Sequence, residues 1–293
     1  LYKHFIRDNY DIIVSYLEGP TARIVSGCTN PNTKLVSWIH IEQHTKELAS
    51  KSFRSCKEAL DCYSKFDRTV CVSDTVKDDF ESIFDTKKSV EVLYNTNESE
   101  KIKKLSDEKV DDVNFSKDII NIISVAKIVP SKGYDRLMKI HKKLIEKNIK
   151  NHIYILGIGE EKEKYEKYLA ENNLTDTFTF LGYRDNPYKY VKKADLYVCS
   201  SRREGFSTAV TEALIVGTPV VSTNCSGAYE LLGENNEYGI VTENNEDALY
   251  EGIKKMLTTP DLLEAYAAKA KERGKAFSTE KTVKAVEEML SAL

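Results

Sequence analysis

The feature that most constrains this chain is an alternation that runs almost end to end. Short runs rich in valine and isoleucine are separated by longer stretches whose apolar residues recur with helical period. A strand that reads as a near-continuous apolar run is covered on both faces, and a stretch of helical length between two such runs is the crossover that joins parallel strands. The pattern predicts an α/β fold of βαβ units around mainly parallel sheets. In the first part of the chain, strands are expected at residues 11–15, 34–39, 69–73 and 90–93, with helices at about 42–60 and 75–84. They make one incomplete α/β unit. A polar stretch rich in lysine and aspartate, residues 95–117, has no strand period and reads as a linker, which places a domain boundary near Asn97.

Beyond that boundary the alternation is fuller. Strands are expected at 119–124, 152–156, 177–180, 196–199, 219–222 and 239–241, enough for a doubly wound, Rossmann-like sheet. Helices fit at 134–147, 160–171, 208–216, 247–257 and 262–275, and Ser278-Thr279-Glu280 reads as the start of a last one. The expected organisation is a first domain over residues 1–97, incomplete in this chain, a second over 98–278, and a C-terminal helix over 279–293 that is free to cross back to the first. The chain opens at Leu1 without methionine, charged n-region or apolar h-region and is strand-like by Asp11, so its natural start is expected upstream.

Composition narrows the partners. The chain has 293 residues, 41% hydrophobic and 30% charged, which suits a globular protein with a core and excludes collagen-like, disordered and coiled-coil chains. Its 43 basic and 46 acidic residues leave a formal charge of −3, so no nucleic acid is expected and the partner is a small molecule. No apolar run approaches the roughly 20 residues of a membrane-spanning helix. The 6 cysteines show no CxxC pair and no zinc-finger spacing with histidine, so no metal is expected and they read as reduced core thiols of a cytoplasmic protein.

The most informative segment runs from Ser200 through Glu204, Gly205, Phe206, Ser207 and Thr208 to an apolar helical run that contains Glu212. It sets a helix start between two carboxylates. The backbone N–H groups around Phe206, Ser207 and Thr208 are suited to a phosphate, with Gly205 allowing close backbone approach. Glu212, about one turn into the helix and facing the same cleft, is suited to a cis-diol such as a ribose, and Glu204 to hydroxyls at the other end of a ligand. A second constellation, Lys127 and Lys132, follows the first strand of the second domain, at the carboxyl edge where such sheets bind ligands. Two cations there can stabilise a departing diphosphate without a metal. The alternative is a solvated loop with two exposed lysines. Gly157-Ile158-Gly159 lacks the third glycine of a dinucleotide fingerprint and reads as a tight turn. In the first domain, His40 ends a strand and points to the interdomain cleft if the sheet is parallel; a structural histidine is the competing reading. Lys46, Lys51, Arg54 and Lys57 alternate with Glu42, Glu47 and Glu58. They are expected to form a solvated helix face, with a membrane-surface or acceptor-binding helix as the alternative.

Taken together, the Glu204 to Glu212 segment, Ala126-Lys127 to Lys132-Gly133, Phe180-Leu181-Gly182-Tyr183, and Thr218-Pro219-Val220-Val221 leading to Gly227-Ala228-Tyr229-Glu230 resemble retaining nucleotide-sugar glycosyltransferases of the GT-B fold, family four. The resemblance covers nearly all of the second domain and the rear half of the first. It implies two Rossmann-like domains facing a cleft. It further implies that Glu212 binds the nucleotide ribose, that Glu204 contacts the donor sugar, and that the amides near Phe206 to Thr208 contact phosphate or sugar. Lys132 matches the diphosphate lysine. Lys127 stands where the family usually has arginine, keeping the charge but losing the bidentate fork. Tyr183 and Arg184 match the loop that seats the base, an exposed turn aromatic being the plainer reading of Tyr183, and His40 matches a histidine near the donor sugar and the attacking oxygen. Thr96 stands at the family's interdomain hinge, where proline is common.

The expected function is metal-independent, cofactor-free transfer of a sugar from a nucleoside diphosphate sugar, with uridine as the preferred base. The anomeric configuration is kept and the acceptor is a saccharide or glycolipid in bacterial cell-surface polysaccharide synthesis. Glu204, Lys127, Lys132 and His40 are the expected catalytic residues. The expected location is cytoplasmic, with association at the inner membrane face as an option. The competing readings are a non-catalytic nucleotide-sugar binding module and a GT-B-like epimerase or phosphorylase.

Overall fold

A computed structural model describes residues 2–86 and 88–293. Contacts gather Leu1–Asn95 with Thr282–Leu293 into one unit and Thr96–Lys281 into another. In the first unit, β1 (Ile12–Ser15), β2 (Lys34–Ile39), β3 (Arg68–Cys71) and β4 (Ser89–Val92) lie side by side in chain order, all parallel. From Leu35 to Ile39 every residue of β2 is buried, which is why it reads as an unbroken apolar run. An aromatic layer anchors the unit: the Tyr63 ring meets Phe80 edge-on at 5.2 Å and Phe84 at 4.8 Å. Burial drives the Tyr63 phenol up to about 12, and its oxygen accepts the Gly19 N–H at 3.1 Å.

Two expectations for this unit need correction. The helix expected over 42–60 is split into Lys46–Ala49 and Cys56–Tyr63. Thr45 accepts the Leu48 N–H and Ser55 accepts the Glu58 N–H, so hydroxyls that compete with helical bonding open a second helix rather than extend the first. A short helix, Pro20–Val25, was not foreseen, although a proline at its first position is a start signal.

The second unit is a 6-stranded sheet of β5 (Ile120–Val125), β6 (Asn151–Leu156), β7 (Phe178–Gly182), β8 (Leu196–Cys199), β9 (Val220–Thr223) and β10 (Ile240–Thr242). Its order is β10-β9-β8-β5-β6-β7, and every pair is parallel. The chain builds outward from β5 through β6 to β7, then returns to the other side of β5 with β8. The loops that leave β5 and β8 therefore sit together at the reversal point, where the crevice of such sheets lies. Beneath it, Ile122, Ile153, Ile155, Val198 and Val221 are sealed by Leu137, Ile140 and Leu144 of the helix Tyr134–Glu146. His141 on the same helix joins Asn151 and Thr177 through its two ring nitrogens, 2.8 Å each, and burial pulls its pKa down to about 4.

The stretch 95–117, expected as linker, contains the helix Ser99–Ser106, whose Ile102 is buried and which packs on the helices Tyr188–Lys193 and Thr208–Val216. Two turns with one inward isoleucine are too short to show a helical period against so many lysines. The helices Tyr188–Lys193 and Ala228–Leu232 escaped for the same reason. All 6 cysteines are free, but only Cys62, Cys71 and Cys199 are buried; Cys56 is exposed, so the core reading fails there. Among the described residues no helix is long and apolar enough to cross a membrane.

Candidate functional site

The loop after β5 carries the lysines. It runs from Ala126 to a short 3-10 turn, Pro130–Lys132, and ends at Gly133, whose backbone takes φ 69°. A side chain there would strain the backbone and set a Cβ 2.1 Å from the Ser200 carbonyl oxygen, so glycine is what lets this loop touch the loop after β8. Gly205, expected to allow close backbone approach to a phosphate, does not have left-handed backbone.

The loop after β8 carries the acids. Glu204 Oε1 receives two donors at 2.6 Å, the Lys132 ammonium and the Ser201 hydroxyl. Lys132 and Glu204 are 72 positions apart in sequence, and only the strand order makes them partners. Ser207 then opens the helix Thr208–Val216 by accepting the Val210 N–H. The first N–H groups of a helix have no intrahelical acceptor, so this start offers positive potential beside the lysines.

These groups line one cavity of about 310 Å³, walled by Ser124, Lys127, Lys132, Ser201, Glu204 and the segment Phe206 to Ala209. Phe206 is 6% exposed and packs against Phe277, so its side chain is a wall and its neighbours' amides are the polar surface. Lys127 is exposed and lines both this cavity and a second one of about 450 Å³. The second cavity is formed by Val125, Ile158, Tyr183, Arg184, Pro187 and Tyr188 among others. Ile158 and Tyr183 are 59% and 65% exposed, the unprotected apolar surface that a flat ring can cover. Gly157 and Gly159 make the tight turn that the sequence suggested, because a Cβ on either would collide with the carbonyl of Ala126 or Ile128.

Other expected residues fall differently. Glu212 lies on the helix Thr208–Val216 but is not among the residues lining the first cavity. Its charge is felt both by the Tyr188 phenol, which lines the second cavity, and by the Tyr197 phenol, which lines the first, and Glu212 itself lines neither. Burial alone raises the Glu212 carboxyl to about 7. Arg184 lines the second cavity, with its guanidinium bonded to Asp112 at 3.0 Å and to the Tyr190 hydroxyl at 3.3 Å. His40 follows β2, and Glu18 accepts its backbone N–H at 3.0 Å. Burial lowers the imidazole pKa, partly offset by Glu18 and the Tyr16 backbone, and the ring Nε2 is buried without a partner among the described residues.

Sequence reasoning missed Ser201, Ile158, Arg136 and the Asp135–Arg202 pair, in which both guanidinium nitrogens meet the carboxylate at 2.7 Å. Arg136 did leave a trace: an arginine on the buried stripe of Tyr134, Leu137 and Ile140. In the first unit, Glu42, His44 and Asp79 bring ligand-type atoms within 4.8 Å of one another. Asp79, however, accepts the backbone N–H groups of Gln43 and His44, at 2.6 and 3.0 Å, and so clamps a loop whose His44 has φ 63°.

Residues 106–273 match the family described as glycosyl transferases group 1. A Campylobacter jejuni protein, N-acetylgalactosamine-N,N'-diacetylbacillosaminyl-diphospho-undecaprenol 4-alpha-N-acetylgalactosaminyltransferase, is 30% identical over 275 residues, covering 92% of this chain and 70% of that one. An uncharacterised glycosyltransferase of Methanocaldococcus jannaschii is 29% identical over 289 residues, with 86% and 70% covered. The fold matches Anabaena HepE, solved with UDP, at TM-score 0.80 and 17% identity, over 97% of this chain and 79% of that one. It also matches sucrose-phosphate synthase of Thermosynechococcus elongatus at TM-score 0.81 and 17% identity, over 99% and 75%.

Proposed function

The chain belongs to the group 1 glycosyl transferases and has their GT-B fold, and on that premise we propose that it transfers a sugar from a nucleoside diphosphate donor with retention of configuration. The observation that carries this reading is the pair of adjoining cavities that share Val125, Ala126 and Lys127. One holds Lys132, Glu204 and a helix start; the other presents Ile158 and Tyr183. A diphosphate fits against Lys127, Lys132 and the helix N-terminus, a base against the exposed Tyr183 ring, and the donor sugar against Glu204.

In the proposed reaction the bond from the anomeric carbon to the diphosphate oxygen breaks, and the acceptor oxygen bonds to the same face of that carbon. The acceptor's proton passes to the departing diphosphate, which needs no separate base. Two lysines and a helix dipole stabilise the growing charge, so the reading requires no metal or other cofactor. Because Oε1 of Glu204 is taken by Lys132 and Ser201, its role is to hold the sugar's hydroxyls rather than to attack carbon. His40, whose burial favours the uncharged imidazole, is proposed to orient the acceptor hydroxyl. UDP is the preferred donor nucleotide, supported by the UDP bound to HepE. A saccharide on a lipid diphosphate is the preferred acceptor, supported by the name of the Campylobacter relative, and surface-polysaccharide synthesis at the cytoplasmic face of a membrane is the setting proposed for it.

Calorimetry with UDP, GDP and ADP on the wild type and Glu212→Ala tests this. UDP is expected to bind most tightly, and the variant to lose about 1.5 to 3 kcal/mol with the ribose contact. Binding of none of the three would remove the reading. In turnover assays, free UDP supports transfer, a sugar phosphate would mean phosphorolysis, and an epimerised donor with no UDP released would mean epimerisation. Donor binding without turnover would leave a binding module.

A further inference from the structure

We propose, resting on the site reading above, that Arg136 is the positioning residue that sets the contact between Lys132 and Glu204. Arg136 belongs to the helix Tyr134–Glu146, is 5% exposed and does not line the cavity, so any effect on the site passes through other groups. Its Nε donates to the Ser200 carbonyl at 2.8 Å, and its Nη2 donates to the Ser200 and Ser201 carbonyls at 2.5 and 2.6 Å. A buried guanidinium is costly to desolvate. This one spends its donors on two consecutive carbonyls, a task that suits a planar fork and that an ammonium cannot reproduce.

The consequence reaches Glu204 in two steps. Arg136 and the Thr223 hydroxyl, each at 2.6 Å, together hold the Ser201 carbonyl and so the backbone that carries its side chain, and the Ser201 hydroxyl donates to Glu204 Oε1 at 2.6 Å. From the other side, the Ser200 hydroxyl donates to the Lys132 carbonyl at 2.8 Å, and Lys132 Nζ closes the ring on Glu204 at 2.6 Å. Gly133 clears the space: a Cβ there would lie 2.8 Å from Arg136 Nε as well as against Ser200. The same two loops are also joined by the Arg202 N–H on the Ser131 carbonyl at 2.7 Å and, on the outside, by the Arg202–Asp135 pair, whose side chains are 44% and 36% exposed, so that solvent weakens it; of the two side-chain links, the Arg136 fork is the buried one.

Limited acetylation with acetic anhydride, read by mass spectrometry as the ratio of Lys132 to Lys127 labelling, tests the proposal without a substrate. In the wild type Lys132 is held by Glu204 and is expected to label slowly against exposed Lys127. Arg136→Met is expected to raise the ratio about tenfold, as a charge-assisted hydrogen bond is lost. Arg136→Lys, which keeps the charge and loses the fork, should raise it about threefold. A merely structural residue would lower the melting temperature and leave the ratio unchanged in folded protein, and that result would overturn the proposal. If Arg136→Met does not fold, the same ratio in Arg136→Lys decides. Assays of UDP release from UDP-glucose and UDP-N-acetylglucosamine add a second arm: kcat falls in Arg136→Lys at near-constant KM, and equal kcat would count against positioning. A wild type that releases no UDP and binds none would sink the transferase reading alone, and the labelling ratio would still decide the role of Arg136.

Discussion

Glu204 and Glu212 are the same residue type on either side of one helix start, yet their surroundings divide their tasks. Glu204 has an ammonium and a hydroxyl on one oxygen, which holds it in a single orientation toward the cavity. Glu212 has burial and no compensating charge, and its carboxyl rises to about 7 from an ordinary 4.5. The folded protein therefore keeps a proton there that the unfolded chain has released. This advantage is present below pH 4.5 and is lost as pH rises toward 7. Glu212→Gln is expected to flatten the stability profile across that window and to be more stable than wild type at pH 8 by on the order of 1 to 3 kcal/mol. Urea denaturation at pH 5 and pH 8 measures both, and identical profiles for the two proteins would mean that the carboxyl is solvated. A ribose diol donating two hydrogen bonds, as proposed above, would favour the ionised form of this carboxyl.

At the scale of elements, the site depends on two loops that leave neighbouring parallel strands and touch through backbone. Gly133 has both reasons to be glycine, a left-handed φ of 69° and the Ser200 carbonyl 2.1 Å from where a Cβ would be. Gly133→Ala is expected to cost roughly 2 kcal/mol or more, combining αL strand cost with displaced backbone, and to weaken UDP binding as the loops part. Gly217→Ala is the comparison: its φ is 85°, but only the flexible Lys271 side chain stands in the way. That variant should lose about 1 kcal/mol and keep its UDP affinity. Thermal melts with calorimetry separate the two, and equal UDP affinity in both variants would mean that loop contact is irrelevant to the nucleotide.

At the scale of the whole molecule, the lysines, Glu204, the helix start, Glu212 and the Tyr183 cavity all belong to the unit Thr96–Lys281, which has its own sheet and core. A chain of residues 96–281 alone is expected to fold cooperatively and to bind UDP within about tenfold of the full chain, a difference of roughly 1.4 kcal/mol. Circular dichroism melts and calorimetry on the excised unit check this. A fragment that folds but does not bind would mean that the nucleotide site needs residues beyond it.

What the sequence determined by itself was periodic or chemically marked. Buried parallel strands betray themselves as apolar runs, so every strand of both sheets was legible within a residue or two, and 208–216 was read to the residue because Ser207 caps an apolar run. That Glu204, Lys127 and Lys132 would line one cavity was legible because charged residues stood at the carboxyl ends of such strands. Helices of one or two turns, such as Ser99–Ser106, were not, since one buried isoleucine makes no period. Tertiary structure alone decided which side chains became partners. The reversal of strand order at β5 and β8 brought Lys132 to Glu204 across 72 positions and set Arg136 beneath both. Local sequence encodes which surface of a segment avoids water. Which loop another loop touches is settled only when the strands have chosen their neighbours.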